Sequence, residues 1–197
     1  MMHPIRALVL IAPSLLAGCF AGGSDRTAQA APEWAQQIPD APVALAVFKE
    51  KREIVVLRQG VPRETVPVRL GQAPEGHKRR QGDNRTPEGV YRVCQVKPSK
   101  YRSFVWISYP NREDAKQALR DGRLSRAEYD RIIASLDSGY CPPADTSLGG
   151  LVGIHGDNEE PPRKYNWTQG CIATINNRDL DRLASLVKPG TPVAIFP

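Results

Sequence analysis

Two side chains in this sequence have the types needed for acyl chemistry by a nucleophile and a base. His155 stands in Gly153-Ile154-His155-Gly156, at the end of a short apolar run, and Cys171 follows sixteen positions later in Trp167-Thr168-Gln169-Gly170-Cys171-Ile172-Ala173. A thiol is already somewhat nucleophilic near neutral pH, and an imidazole within about 3 Å raises its reactivity by accepting the proton. The backbone amides of Gly170 and Cys171 are candidates to hold the oxyanion of a tetrahedral intermediate. On residue chemistry alone, a single cysteine and a single histidine are more often structural than catalytic.

The cysteine count sharpens the choice. Of the four cysteines, Cys19 closes the run Leu16-Ala17-Gly18-Cys19, which resembles a lipobox, so its thiol is expected to carry lipid. Three remain, and an odd number in an oxidising compartment leaves one unpaired. Cys171 is the expected free thiol, with Cys94 and Cys141 available for a disulfide. Neither a C-x-x-C pair nor an H-x-x-x-H helix occurs, so neither a metal nor another cofactor is expected. A G-x-S-x-G elbow, the mark of many serine hydrolases, is also missing.

Around these residues the chain reads as one domain behind a leader. Residues 1–18, with Arg6 ahead of an apolar stretch too short to span a bilayer, are expected to be a lipoprotein signal peptide. Residues 19–42, rich in Ala, Gly, Pro and Gln, read as a flexible tether from lipidated Cys19. Phe20, where an Asp would resemble an inner-membrane retention signal, points to the periplasmic side of the outer membrane. The net charge of +6 favours acidic polymers or anionic surfaces, and export argues against nucleic acid. The basic cluster His77-Lys78-Arg79-Arg80 has no interleaved aromatics and reads as a solvated loop.

Residues 43–197 carry the secondary-structure signals. Strands are expected at 43–48, 53–59, 64–70, 90–96 and 103–109, from β-branched and aromatic runs bounded by turn residues, and again at 192–196. A helix is expected over 112–121, and Ser125 with Glu128 forms a capping box ahead of Tyr129, Ile132, Ile133 and Leu136. Asp121-Gly122 lacks the alternating acidic ligands of a calcium loop and reads as the turn between these helices. Asn177 is the expected cap of a C-terminal helix carrying Leu180, Leu183, Ala184 and Val187. The sum is mainly β: a sandwich-like or barrel-like domain with a helical insertion and a C-terminal helix, without the strand–helix alternation of a doubly wound sheet.

The order and spacing of His155-Gly156 and Thr168-x-Gly170-Cys171-Ile172 resemble the signature of the L,D-transpeptidase catalytic domain, the YkuD-type family, in a W-T-x-G-C-I-A variant. Gly82-Asp83 with Thr86-Pro87-Glu88-Gly89-Val90-Tyr91 resembles a second stretch of that family, and Ile107-Ser108-Tyr109-Pro110-Asn111 a strand end in one of its branches. The resemblance covers about residues 43–197 and implies a β-sandwich-like fold acting on peptidoglycan stem peptides. It implies attack by Cys171 on the carbonyl of the third stem residue, usually meso-diaminopimelate, and loss of the terminal D-alanine. His155 would be the base, and Gly156, Thr168 and Gly170 would shape the pocket. The acyl group would pass to an amine of another stem peptide or of a lipoprotein lysine; water in that place would make the protein a hydrolase. Ala173 and Gln169 depart from the family's usual Arg or Asn and His, so Arg163 and Lys164 are the expected source of the missing positive charge.

Two other classes compete. A papain-like peptidase also uses Cys and His but places the cysteine first. A non-catalytic wall-binding lipoprotein would grip acidic polymer through its basic surface and keep Cys171 as a structural residue.

Overall fold

The computed structural model describes residues 31–197. The signal peptide, the lipid-bearing Cys19 and most of the tether lie outside the described residues. Eight strands run as β1 (Val43–Phe48), β2 (Glu53–Arg58), β3 (Val61–Arg69), β4 (Gly89–Ser99), β5 (Arg102–Ile107), β6 (Gly153–His155), β7 (Ile172–Thr174) and β8 (Pro192–Phe196). They close into a barrel in the order β1-β2-β3-β7-β6-β5-β4-β8. Closure leaves no open edge, and only the β1–β8 and β6–β7 pairs are parallel. The mainly β expectation holds, with the sheet closed on itself.

Alternation along the strands sorts the side chains. Leu45, Val47, Ile54, Val56, Val66, Val68, Val105, Ile154, Ile172, Val193 and Ile195 fill the interior, joined by Leu180 and Leu183 from the C-terminal helix α3 (Asn177–Leu186). The cap of that helix is Asn176, whose side chain accepts from the Arg178 amide, and not Asn177. Asn177 points elsewhere: its side-chain amide donates to the Asp157 carbonyl at 3.0 Å, holding the loop that follows His155.

The insertion folds as α1 (Arg112–Arg120) and α2 (Arg126–Asp137), each opened by a reciprocal capping box, Asn111 with Asp114 and Ser125 with Glu128. The two helices bury Ala115, Ala118, Leu124 and Ile132 around Leu148, which comes from the segment leading into β6. The insertion is thereby packed onto the segment that delivers His155.

The tether ends earlier than composition suggested. Residues Glu33–Gln37 form a 3-10 turn, and Trp34 packs edge-on against Phe48 at 4.9 Å, with Ala35 and Ile38 buried on the outer face of the barrel. Apolar burial at three positions outweighs the Ala- and Gln-rich character of the flanking stretch. Among the described residues no helix is long and apolar enough to cross a membrane.

Candidate active site on β6 and β7

The parallel pair β6–β7 brings the two chemical residues together. In its register Ile154 faces Ile172 and His155 faces Ala173, which sets Cys171 opposite Gly153. Ile154 and Ile172 point into the barrel, so His155 and Cys171 both project from its outer face, two positions out of register. Gly153 leaves no room for a side chain of its own: a Cβ there would lie 2.4 Å from the Val105 carbonyl oxygen and 2.7 Å from the Phe104 ring, so the glycine lets β5 pack closely behind the site.

His155 is 4% exposed and held on several sides. Its ring stacks on Tyr101 at 4.7 Å, meets Trp167 edge-on at 5.4 Å and lies 6.3 Å from Phe104. Its Nδ1 sits 2.7 Å from the Gly156 carbonyl oxygen. A carbonyl can only accept, so the neutral ring carries its proton on Nδ1 and leaves the Nε2 lone pair bare. Burial pushes its pKa below the usual histidine range, opposed by the Gly156 carbonyl and by Asp157. At neutral pH the imidazole is therefore an uncharged base.

Cys171 is half-buried, and its thiol donates to the Leu151 carbonyl at 3.5 Å. Desolvation pushes its pKa up to about 11, against the Gly153 amide and the positive charge of Lys78, which both favour the thiolate. The resting pair is thus thiol and neutral imidazole, each hydrogen-bonded to a backbone carbonyl and not to the other. General-base removal of the proton, and not a standing ion pair, is the chemistry this geometry supports.

The residues around the thiol form a tight elbow. Thr168, 3% exposed, donates from Oγ1 to the Cys171 carbonyl at 2.6 Å and accepts there from the Gly170 amide at 3.2 Å. Gly170 adopts φ +126°, which L side chains rarely adopt, and a Cβ on it would lie 2.6 Å from the Arg85 carbonyl oxygen. The elbow leans on the 71–89 segment: the Gly71 amide donates to Thr86 Oγ1, and Gly71 bridges Thr168.

That segment corrects the solvated-loop reading of 77–80 in part: Arg79 and Arg80 are exposed, whereas Lys78 and His77 are drawn inward. Lys78 is 4% exposed, and its Nζ donates to Asp83 Oδ1 at 2.8 Å and to the Arg80 carbonyl at 3.1 Å. The same ammonium lies 3.7 Å from where a Gly170 Cβ would sit. Burial pushes the Asp83 carboxyl up, but Lys78 and the amides of Arg79, Arg80 and Arg85 outweigh it and hold it below its ordinary range. His77 also turns inward, with its Nε2 3.2 Å from Asp114 on α1. The sequence signal for this was Gly82-Asp83, an acceptor placed five residues after a lysine.

Arg163 is engaged elsewhere. Its guanidinium pairs with Asp157 and Glu159 and lies over the Trp167 ring at 4.2 Å, bracing the wall behind His155. Lys164 is exposed in the same loop. Sequence reasoning missed Tyr101, Phe104 and the Leu151 carbonyl, because contacts made across a barrel leave no local spacing signal. Cys94, at a bulge in β4, and Cys141 are free thiols in contact with each other. Arg92 grips the neighbouring Gly139 and Tyr140 carbonyls at 3.1 and 3.2 Å.

Comparison with known proteins is decided by one match: the L,D-transpeptidase catalytic domain model covers residues 42–195. The chain belongs to the L,D-transpeptidase catalytic domain family. It is 32% identical over 122 residues to YafK of Escherichia coli (strain K12), whose name assigns it only provisionally to the L,D-transpeptidases. That alignment takes in 56% of this chain and 50% of the relative, and the Escherichia coli O157:H7 protein gives the same figures. The chain thus spans about half the length of the curated relatives it matches. Among solved structures, the helical cell shape determining protein Pgp2 of Campylobacter jejuni superposes with a TM-score of 0.54 at 20% identity, over 80% of this chain and 48% of that one. Bd1075 of Bdellovibrio bacteriovorus gives 0.52 at 18%, with the same coverage. Both likenesses establish the fold of this L,D-transpeptidase domain.

Proposed function

We propose that the protein is a peptidoglycan L,D-transpeptidase with Cys171 as nucleophile and His155 as base. The observation that carries the reading is the shared outer face of β6 and β7, where a bare Nε2 and a thiol stand two positions out of register. His155 takes the thiol proton as Cys171 Sγ attacks the carbonyl of the third stem residue. The tetrahedral oxyanion is held by backbone donation; because the Gly170 amide is committed to Thr168, the Cys171 amide is the donor assigned to it. Collapse breaks the bond to D-alanine, whose nitrogen leaves with the proton from His155, and a thioester remains. An acceptor amine gives its proton to His155, attacks the thioester and restores the thiol. Lipid on Cys19 would keep this chemistry at the periplasmic side of the outer membrane.

The test is incubation of the protein with disaccharide-tetrapeptide and with crosslinked wall fragments, followed by mass spectrometry of the products. Cross-links between third residues, or D-alanine exchange, support the transpeptidase; cleavage without joining makes the protein a hydrolase. No reaction where an active family member works would sink the enzymatic reading.

In an oxidising compartment we further propose a Cys94–Cys141 disulfide, formed by exchange with an oxidoreductase disulfide that leaves as a dithiol. Alkylation of the unreduced exported protein should then label Cys171 alone; labelling of Cys94 and Cys141 before reduction would exclude the bridge.

A further inference from the structure

The glycine that follows His155 is crowded by α3. A Cβ on Gly156 would collide with Oδ1 of Asn177 and lie 3.0 Å from the Tyr101 carbonyl oxygen and 3.2 Å from Leu180 Cδ2. A glycine at this position lets the first residue of α3 come against the backbone. The helix is fixed there by Leu180 and Leu183, both fully buried in the barrel core.

The stretch Gly156–Asp157 is gripped at three points. The Gly156 amide donates to the Tyr101 carbonyl at 3.2 Å, and the Tyr101 ring stacks on the imidazole at 4.7 Å. The Asp157 carbonyl accepts from Asn177 Nδ2 at 3.0 Å. Between them the Gly156 carbonyl faces His155 Nδ1 at 2.7 Å. Peptide units are planar, so holding the groups on either side of a carbonyl fixes its direction.

Asn177 makes its contact with half of its amide unsatisfied. Its Oδ1 is buried and meets no donor. Turning the amide over would not relieve this, because the oxygen would then face the Asp157 carbonyl and the N–H groups would face the Gly156 methylene. A buried acceptor without a partner is unfavourable, and a group kept in that state calls for a reason.

We infer that Asn177 is a positioning residue for the base: by holding the Asp157 carbonyl it aims the Gly156 carbonyl at Nδ1, which keeps the Nε2 lone pair free for the thiol. The inference rests on the reading of His155 as base and adds the side chain that sets its tautomer. The tautomer matters because a neutral ring protonated on Nε2 has no lone pair there to take the Cys171 proton.

Two readouts separate positioning from stability. Nitrogen-15 NMR of the histidine-labelled protein, at a pH where the ring is neutral and with His155 assigned by the loss of its signals in His155→Gln, shows which nitrogen carries the proton. The parent should show Nδ1 protonated and Nε2 bare, and Asn177→Ala a mixture of both tautomers. For stem-peptide turnover, kcat in Asn177→Ala should fall about 10- to 100-fold with KM within about twofold, the pattern of a misaimed group and not of lost binding. Asn177→Asp keeps the shape and suits the first turn of a helix but has no N–H to give, so it should match Asn177→Ala in both readouts. Ala184→Gly weakens the same helix away from Gly156; it should lower the thermal midpoint and leave tautomer and kcat at parental values. A ring protonated on Nδ1 with parental kcat in Asn177→Ala, or the same losses in Ala184→Gly, would overturn the inference. A parent that turned over no stem peptide would overturn the reading of His155 as base, and the NMR comparison would still decide whether Asn177 sets the ring.

Discussion

Replacing Cys171 with Ala is expected to lower turnover of stem-peptide substrates by at least about 10⁴-fold while leaving the thermal midpoint close to that of the parent. A nucleophile whose step begins the reaction cannot be bypassed by the surrounding donors, and losses of this size are typical when one is removed. Stability should change little because the thiol's polar contacts are a long one to the Leu151 carbonyl and one with the Gly153 amide, and it is half-buried outside the apolar interior. Steady-state assay with D-alanine release as the readout checks the first part and thermal unfolding the second. Retained activity would move the chemistry away from this elbow.

Replacing His155 with Gln is expected to cost about 10²- to 10⁴-fold and to change the shape of the pH profile as well as its height. In the parent protein burial holds the imidazole pKa below its ordinary value, so the acid limb of kcat/KM should fall below the usual range near 6.5. That limb reports protonation of the base, and it should vanish in the glutamine variant. The same shift bears on stability. The unfolded chain takes up its histidine proton near pH 6.5, whereas the folded chain resists it to lower pH. This group's contribution is therefore present above that value and is lost as pH falls through the folded pKa. Iodoacetamide labelling offers an independent check: with the thiol pKa pushed up to about 11, the rate should climb through the alkaline range without a plateau near neutrality.

The way sequence and structure met at this site follows from physical range. Val43–Phe48, Glu53–Arg58 and Pro192–Phe196 were legible because strands in a half-buried sheet write their burial into neighbouring residue types. The helices were legible from Ser125 with Glu128 and from the spacing of Leu180 and Leu183, all local signals. The three-residue strands β6 and β7 are too short for any periodicity, yet they carry the chemistry, so His155 and Cys171 could be picked out only by type and motif. Lys78 shows the opposite case. Its run of basic neighbours looked solvent-bound, and only the fold shows Asp83 turning back to bury it beside Gly170. Arg163 was misjudged for a similar reason, since its pairing with Asp157 and Glu159 depends on contacts no spacing encodes.

The central claim, a covalent acyl group on Cys171, is tested most directly by intact-protein mass spectrometry after rapid acid quench of the protein mixed with stem tetrapeptide. The account predicts an adduct whose added mass equals the tetrapeptide less D-alanine, localised by peptide mapping to the segment holding Cys171 and absent in Cys171→Ala. Product formed with no such adduct under any quench time, or an adduct that persists in the alanine variant, would contradict it.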